Sequence, residues 1–216
     1  MLLRWKIAQW FELQWWKRYL SGKSKEEYIA WKTNYWLQLM RTLELEKVIE
    51  EANAIVDFGC GPFGLSLANQ QWKKELTAVD PLLDEYAATI PFFNKQDYCN
   101  TEFVTQSIEA FSSPKAFDMV FCMNAINHVR AIDKAFDVVV NSAQQNSAIV
   151  VSIDAHNHSF FKILFRLIPG DILHPHQYDL KEYSSFLESR NCVIEKEVCI
   201  KQEFFFDHYV LVAQKL

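Results

Sequence analysis

The chain has 216 residues and a formal net charge of −5, and half of its residues are hydrophobic. This length and composition fit one globular domain and exclude an intrinsically disordered chain, and the acidic balance argues against nucleic acid as a partner. The charge is uneven: residues 1–25 contain six basic residues against one acidic residue, and six of the seven tryptophans lie within the first 36 residues.

The N-terminal segment is predicted to be helical. A first helix over residues 2–20 ends at Ser21-Gly22, and a second begins near Ser24 and continues, with a break allowed, to about Glu51. Ser24 and Glu27 form a capping-box pattern at the start of the second helix. We expect residues 1–50 to be a helical lid or appendage on a domain formed by residues 51–216.

The first helix has apolar residues around most of its circumference, so it should contact protein or lipid on more than one side. Three interpretations stay open for it. It closes over a substrate cavity, it makes an ordinary core or dimer contact, or it docks on a membrane surface through tryptophan and basic side chains. No apolar run in the sequence reaches the length needed to cross a bilayer.

From residue 54 onwards, apolar strand patterns alternate with helical patterns. The predicted strands cover residues 54–58, 75–79, 102–105, 117–122, 147–153, 194–200 and 204–213. The predicted helices cover residues 63–71, 82–89, 131–145, 159–167 and 179–189. This alternation predicts an α/β fold, with a doubly wound, mostly parallel seven-stranded sheet that ends in an antiparallel C-terminal hairpin.

The most informative motif is the decapeptide from Ile55 to Gly64, where an apolar strand runs into glycines spaced G-x-G-x-x-G. The glycines allow a sharp turn from strand to helix and a close approach of a ligand to the backbone. A second acid, Asp80, follows the next predicted strand. This combination indicates a nucleoside-containing cofactor at the edge of a parallel sheet.

Such a sheet can hold NAD or S-adenosyl-L-methionine (SAM). Asp57 lies on the first strand, two residues before Gly59, where its carboxylate would repel the pyrophosphate of a dinucleotide. SAM has no phosphate and carries a sulfonium and an ammonium, so nearby acids favour its binding. The residues therefore favour SAM over NAD.

Residues of about 54–213 resemble a class I SAM-dependent methyltransferase. The stretch 56–64 is similar to the first motif of that family, with one extra residue before the last glycine, and Ala78-Val79-Asp80-Pro81 is similar to the second. Ser107-Ile108-Glu109 falls where the family contacts the adenine, with Ser107 in place of the commoner aspartate, and residues 117–129 resemble the segment beside the methionine end. The resemblance implies SAM as cofactor, S-adenosyl-L-homocysteine as product, and these cofactor-binding residues: Asp57, Gly59, Cys60, Gly61, Asp80, Pro81, Ser107, Ile108, Glu109, Met123 and Asn124.

Five of the six histidines follow elements whose carboxyl ends face the predicted crevice. We predict His128, His174 and His176 as candidates for the base that removes an acceptor proton, since imidazole titrates near neutral pH. The H-x-H pairs also allow a metal site, but they lie in predicted loops and no metal is expected. The candidate substrate contacts are Tyr28, Lys32, Trp36, Asn127 and His156.

The sequence thus predicts a SAM-dependent methyltransferase that acts on a small, hydrophobic or aromatic molecule by in-line displacement. Five cysteines without a C-x-x-C pair and the absence of a signal-peptide pattern predict reduced thiols and a cytoplasmic location. A membrane-associated methyltransferase of a lipid-like substrate and a SAM-binding protein without catalysis are the alternatives. The acceptor molecule, the acceptor atom and the oligomeric state stay open.

Overall fold

The structure, a computed structural model, describes residues 2–158 and 176–216, with side chains from residue 5 onwards. Its N-terminal helices are α1 (Leu2–Leu20), α2 (Lys25–Thr42) and α3 (Glu46–Glu51). The Ser24 hydroxyl caps α2 by accepting the Glu27 amide at 3.3 Å. The allowed break is present between α2 and α3, where Glu44 takes a positive φ of 58°.

The seven strands form one sheet in the order β3-β2-β1-β4-β5-β7-β6. Six strands run in one direction and β7 is antiparallel to both of its neighbours, which confirms the predicted fold class. The strands are β1 (Ala54–Phe58), β2 (Glu75–Val79), β3 (Thr101–Val104), β4 (Phe117–Cys122), β5 (Ala143–His156), β6 (Cys192–Gln202) and β7 (Phe206–Lys215).

The connecting helices are α4 (Ser66–Trp72), α5 (Leu83–Thr89), α6 (Ile132–Ser142) and α7 (Leu180–Glu188). The prediction that the helix before β5 extends to residue 145 was wrong, because β5 already begins at Ala143. Ala143 pairs with Phe117, and the register then jumps to Ala148 opposite Met119, so β5 accommodates extra residues in a bulge. The helix predicted over residues 159–167 lies outside the described residues.

Two apolar cores cover the two faces of the sheet. Successive residues of a strand point to opposite faces, so Ile55 and Val150 pack on one side while Val56 and Ile149 pack on the other. The first core includes residues of α2, α4 and α5, and the second includes residues of α6 and α7. As a result, α2 lies on the face of the sheet opposite α6 and α7.

Candidate functional site

A cleft opens at the carboxyl ends of β1, β2 and β4, beneath α1. Parallel strands bring the segments that follow them to one edge of the sheet, which is where ligands bind in open α/β folds. The cleft is lined by Trp5, Ala8, Gln9, Glu12, Gly59, Asp80, Pro81, Ser107, Ile108, Glu109, Asn124, Ala125, His128 and Val129.

The glycine loop after β1 depends on the absence of a side chain at Gly59. This residue has a φ of +66°, and a Cβ placed on it would lie 2.1 Å from the Cβ of Ala125. Its amide donates to the Val79 carbonyl at 2.7 Å, which fixes the turn against β2. Gly61 also has a positive φ, of 56°, but it faces Trp16 and does not line the cleft.

Asp57 holds the glycine loop from beneath and does not line the cleft. Its buried carboxylate accepts the Leu65 amide at 2.9 Å, and a Cβ on Gly64 would lie 2.6 Å from the same oxygen. Burial raises the pKa of Asp57 to about 7, and the bond from Leu65 offsets only part of that effect. Cys60, next in the loop, is also buried outside the cleft, and burial raises the pKa of its thiol.

Asp80 places a carboxylate in the cleft itself. Its two oxygens accept the Leu82 amide at 2.8 Å and the Gly61 amide at 3.0 Å, so the side chain links the end of β2 to the glycine loop. Burial raises the pKa of Asp80 to about 7, and the negative charge of Glu12 raises it further. The following Pro81 also lines the cleft.

The segments after β3 and β4 close the far end of the cleft. Ser107, Ile108 and Glu109 all line it, as the resemblance implies. The Glu109 carboxylate accepts the amides of Arg130 and Ala131 at 2.8 and 3.1 Å, so it ties these two segments together.

Asn124 is held in position at the end of β4. It has a positive φ of 54°, and its backbone N–H donates to the Ser152 hydroxyl on β5 at 2.6 Å. That hydroxyl donates in turn to the Asn124 side-chain oxygen at 3.0 Å. The neighbouring Met123 is buried and does not line the cleft.

One face of α1 covers the cleft, through four residues in the i, i+3, i+4, i+7 pattern of a helix face. They are Trp5, Ala8, Gln9 and Glu12, none of which the sequence singled out. Glu12 accepts the Tyr86 hydroxyl at 2.8 Å, and the buried Nε2 of Gln9 has no hydrogen-bond partner among the described residues. About 80 Å³ of space remains beneath the helix.

Two of the three histidines predicted as bases lie among the described residues, in different surroundings. His128 lines the cleft. His176 is half-buried, and its Nε2 donates to the Val129 carbonyl at 2.7 Å; burial lowers its pKa, with the bond to Val129 acting in the opposite direction. His174 lies outside the described residues.

Two aromatic candidates for substrate contacts pack against the glycine loop. Trp36 is buried and donates from Nε1 to the Phe63 carbonyl at 2.9 Å, and the Tyr28 ring lies 5.1 Å from that of Phe63. Neither residue lines the cleft. Their contacts explain how α2 is anchored to the loop, and a role in binding substrate stays a prediction for both.

The other three residues predicted as substrate contacts, Lys32, Asn127 and His156, have different surroundings. The Lys32 ammonium lies 4.3 Å from the centre of the Tyr35 ring and 4.5 Å from that of Trp36, and burial lowers its pKa to about 8. Asn127 is buried and donates to the Asp154 carbonyl at 3.4 Å. His156 is buried and bonded through Nε2 to the side chain of Gln177.

A second groove lies between α2 and the β6–β7 hairpin, with a volume of about 520 Å³. Asn124 lines both this groove and the cleft. The other residues that line the groove are Tyr35, Gln38, Leu39, Thr42, Val198, Cys199, Ile200, Lys201 and His208. Sequence reasoning did not identify this groove, because no motif connects α2 with strands more than 150 residues away.

Neither a metal cluster nor a membrane span is found among residues 2–158 and 176–216. Within these ranges, no three His, Cys, Asp or Glu side chains come together as a ligand set for a metal ion. The helices described there also fall short of the length and apolar character that crossing a membrane requires.

Residues 55–146 match the family described as "Methyltransferase domain". The ubiquinone biosynthesis O-methyltransferase of Schizosaccharomyces pombe mitochondria is 26% identical to the chain, over 83% of this chain and 78% of the relative. Because that relative is mitochondrial, the cytoplasmic location stays a prediction.

Two solved structures share the fold. The magnesium protoporphyrin IX methyltransferase of Synechocystis, solved with bound S-adenosyl-L-homocysteine, superposes with a TM-score of 0.63 and 15% identity, covering 96% of this chain and 95% of that one. A putative sarcosine dimethylglycine methyltransferase of Galdieria sulphuraria gives a TM-score of 0.68 and 11% identity, covering 82% and 84%. Together with the strand order, these matches show that the chain has the fold of the class I SAM-dependent methyltransferases.

Proposed function

We propose that this methyltransferase transfers the methyl group of SAM to a hydroxyl of a small, apolar or aromatic acceptor. The observation that carries the proposal is a pair of cavities that share Asn124 in their linings, one at the carboxyl edge of the sheet and one between α2 and the β6–β7 hairpin. A transfer between two bound molecules requires two adjoining sites of this kind.

The residues of the cleft fit SAM. The buried carboxylate of Asp80 suits ribose hydroxyls and the positive charge of the cofactor, and the unpartnered amide of Gln9 offers a donor toward a polar ligand. Gly59 lines the cleft with backbone atoms alone, because a side chain at this position would collide with Ala125. When bound, SAM supplies an electrophilic methyl carbon attached to a sulfonium.

The second groove suits a small acceptor of mixed character. Tyr35, Leu39 and Ile200 give it aromatic and apolar walls, while Lys201 and His208 add polar groups. Its volume falls within the roughly 300–1,000 Å³ of pockets that hold small molecules. The curated relative methylates oxygen, according to its name, which supports a hydroxyl as the acceptor group.

We further propose that α1 is a lid. Its cleft-facing residues leave only about 80 Å³ beneath the helix, so α1 has to move for a ligand of ordinary size to enter. Closure would then exclude water from the reacting groups, which strengthens the electrostatic interactions inside the site. Residues 51–216 would supply both binding sites beneath this lid, except for the part of the groove contributed by α2.

The cofactor half of the proposal is tested by calorimetry with SAM and S-adenosyl-L-homocysteine, with NADH as the competing ligand. The acceptor half is tested by incubating the protein and SAM with a panel of phenols, catechols, amines and thiols and identifying methylated products by mass spectrometry. We expect methylation of hydroxyl compounds. Methylation of amines or thiols alone would contradict the proposal, as would NADH binding without SAM binding.

A membrane surface is a second candidate partner, supported by the outer face of α1. Trp10, Phe11 and Trp15 are 56, 48 and 54% exposed on this helix, and the basic residues of the same segment would attract anionic lipids. An acceptor dissolved in the bilayer would then reach the enzyme from the side of the lid.

This candidate is tested by flotation with vesicles of phosphatidylcholine and phosphatidylserine. We expect the protein to float with anionic vesicles, and the double variant Trp10→Ala/Trp15→Ala to float much less. Phe204→Ala, at an aromatic residue that is 70% exposed in the β6–β7 turn, is the matched control. Equal flotation of all three proteins would overturn this candidate.

A further inference from the structure

His208 is the one histidine that the sequence analysis did not place at the predicted crevice, and it lies on β7 opposite Asp154 of β5. Its Nδ1 forms an ion-pair contact with the Asp154 carboxylate. Both side chains are about one-quarter exposed, so the pair is partly shielded from water. The carboxylate therefore fixes the orientation of the imidazole.

The other ring nitrogen of His208, Nε2, lies 3.6 Å from a carboxylate oxygen of Glu203, which is beyond hydrogen-bond distance. Nε2 is buried and has no hydrogen-bond partner among the described residues, and the ring lines the second groove. When a carboxylate accepts a proton from Nδ1–H, the neutral ring carries a lone pair on Nε2. A buried polar nitrogen without a partner is costly unless a ligand satisfies it.

The sheet register brings this nitrogen to the cofactor side of the groove. Ser152 and Asp154 alternate along β5, so they point to the same face of the sheet. Ser152 holds Asn124, which lines both cavities, and Asp154 holds His208. A molecule in the groove would therefore lie beside both His208 and Asn124.

We propose that His208, oriented by Asp154, is the base that accepts the proton of the acceptor hydroxyl. The inference rests on the proposed function. The O–H bond breaks and its proton moves to Nε2, while the oxygen keeps the electron pair that forms the new bond to the methyl carbon. The imidazolium that results is stabilised by the Asp154 carboxylate, as in other histidine–carboxylate pairs used for general base catalysis.

The charged groups around the ring agree with this role. Glu203, in the turn before β7, has a carboxylate oxygen 3.6 Å from Nε2, and Lys201 on β6 pairs with Glu203. Tyr35 and Gln38 of α2 also line the groove, and both are uncharged at neutral pH. The positive charge that the ring gains in the reaction would therefore lie next to two carboxylates.

The test compares His208→Gln, Asp154→Asn and the matched control His158→Gln, which changes an exposed histidine outside the groove. With a water-soluble catechol as probe, we expect kcat of His208→Gln to fall about 100-fold or more. The KM for the catechol, the Kd for SAM and the melting temperature should change little. Asp154→Asn should show a smaller loss, and His158→Gln should behave like the unaltered protein.

Two readouts separate a base from a cross-strand ion pair with a purely structural role. In the pH–rate profile of the unaltered enzyme, the rate should fall at acidic pH, because a base that already carries a proton cannot accept another. The profile of His208→Gln should not show this fall. Independently of turnover, adding catechol to protein saturated with S-adenosyl-L-homocysteine should shift the NMR signal of His208, identified by its loss in the variant.

The possible failures are distinguishable. An active enzyme whose His208→Gln variant keeps its kcat and pH profile overturns the role of His208 alone. An unchanged His208 signal on addition of catechol overturns the groove as the acceptor site. A protein that binds SAM but methylates no hydroxyl compound overturns the proposed function and this inference with it.

Discussion

The cofactor cleft and the groove behind it are assembled in different ways. The cleft is made largely of turns that directly follow β1, β2, β3 and β4, and its most constrained parts are backbone, such as Gly59 with its φ of +66°. The groove is made of side chains from α2, β6 and β7, which come together only through packing and strand register.

This difference has a chemical counterpart. The proposed cofactor site needs a tight loop and fixed carboxylates, and small changes in either should weaken or abolish binding. The groove offers a surface of separate side chains, in which single residues can change without disturbing the sheet. The following predictions test this contrast, beginning with the largest expected effect.

Gly59→Ala should abolish SAM binding and lower the free energy of unfolding by about 3 kcal/mol. The new Cβ would meet Ala125 at 2.1 Å in a left-handed backbone conformation, so overpacking adds to backbone strain. The matched control is Gly22→Ala, where φ is +79° but nothing lies within 4 Å, and about 1 kcal/mol is expected. Calorimetry and urea unfolding measure both effects. If the two variants lose equal stability, close packing at Gly59 is not the cause.

Asp80→Asn should weaken SAM binding by about 10–100-fold, because charge-assisted hydrogen bonds contribute roughly 1.5–3 kcal/mol. The control is Asp84→Asn, whose side chain is 70% exposed and bonded to Lys95 outside the cleft. Its affinity for SAM should match that of the unaltered protein. A similar loss in both variants, measured by calorimetry, would show that the effect is not specific to the cleft.

The unliganded protein should lose stability as pH rises through about 7. Burial raises the pKa of Asp57 and of Asp80 from 3.8 to about 7. The folded state therefore binds protons more tightly than the unfolded state, and this stabilisation is complete below about pH 4 and lost above about pH 7.

We expect the melting temperature to fall by roughly several degrees between pH 5 and 8, and Asp57→Asn to reduce that slope. Asp137→Asn, at an exposed partner of Arg190, should leave the slope unchanged. Over the same range, SAM affinity should increase because the ionised carboxylates attract its positive charge. A melting temperature that is constant or rises over this range would contradict the burial argument.

Trp5→Ala should weaken SAM binding by about fivefold, because it removes apolar surface from the face of α1 that covers the cleft. Trp10→Ala is the matched control on the same helix, since Trp10 is 56% exposed and does not line the cleft. Equal affinities for the two variants in a fluorescence titration would mean that α1 does not close over the bound cofactor.

The sequence identified the cofactor edge largely because its residues follow strands directly. Asp80, Ser107 and Asn124 were predicted from motifs, and all three line the cleft. Asp57 was also found by its motif, but only the structure places it beneath the loop, bonded to Leu65. A motif gives the position of a residue along the chain and does not determine where its side chain points.

The groove that we propose for the acceptor escaped prediction for a physical reason. His208 and Asp154 are 54 positions apart, and only the antiparallel register of β5 and β7 makes them partners. Trp36 shows the same limit, because its helical spacing suggested a substrate contact whereas its Nε1 donates to the Phe63 carbonyl. Side-chain contacts between distant elements leave no pattern in a single sequence.

The sequence by itself determined the class of fold and the methyl donor, because strand periodicity, glycine spacing and the acids after two strands are local features. The tertiary structure alone decided which face of α1 covers the cleft, where the second groove opens and which histidine lies in it. Those features depend on packing and register between distant segments, and a one-residue shift in strand register would turn His208 to the opposite face of the sheet.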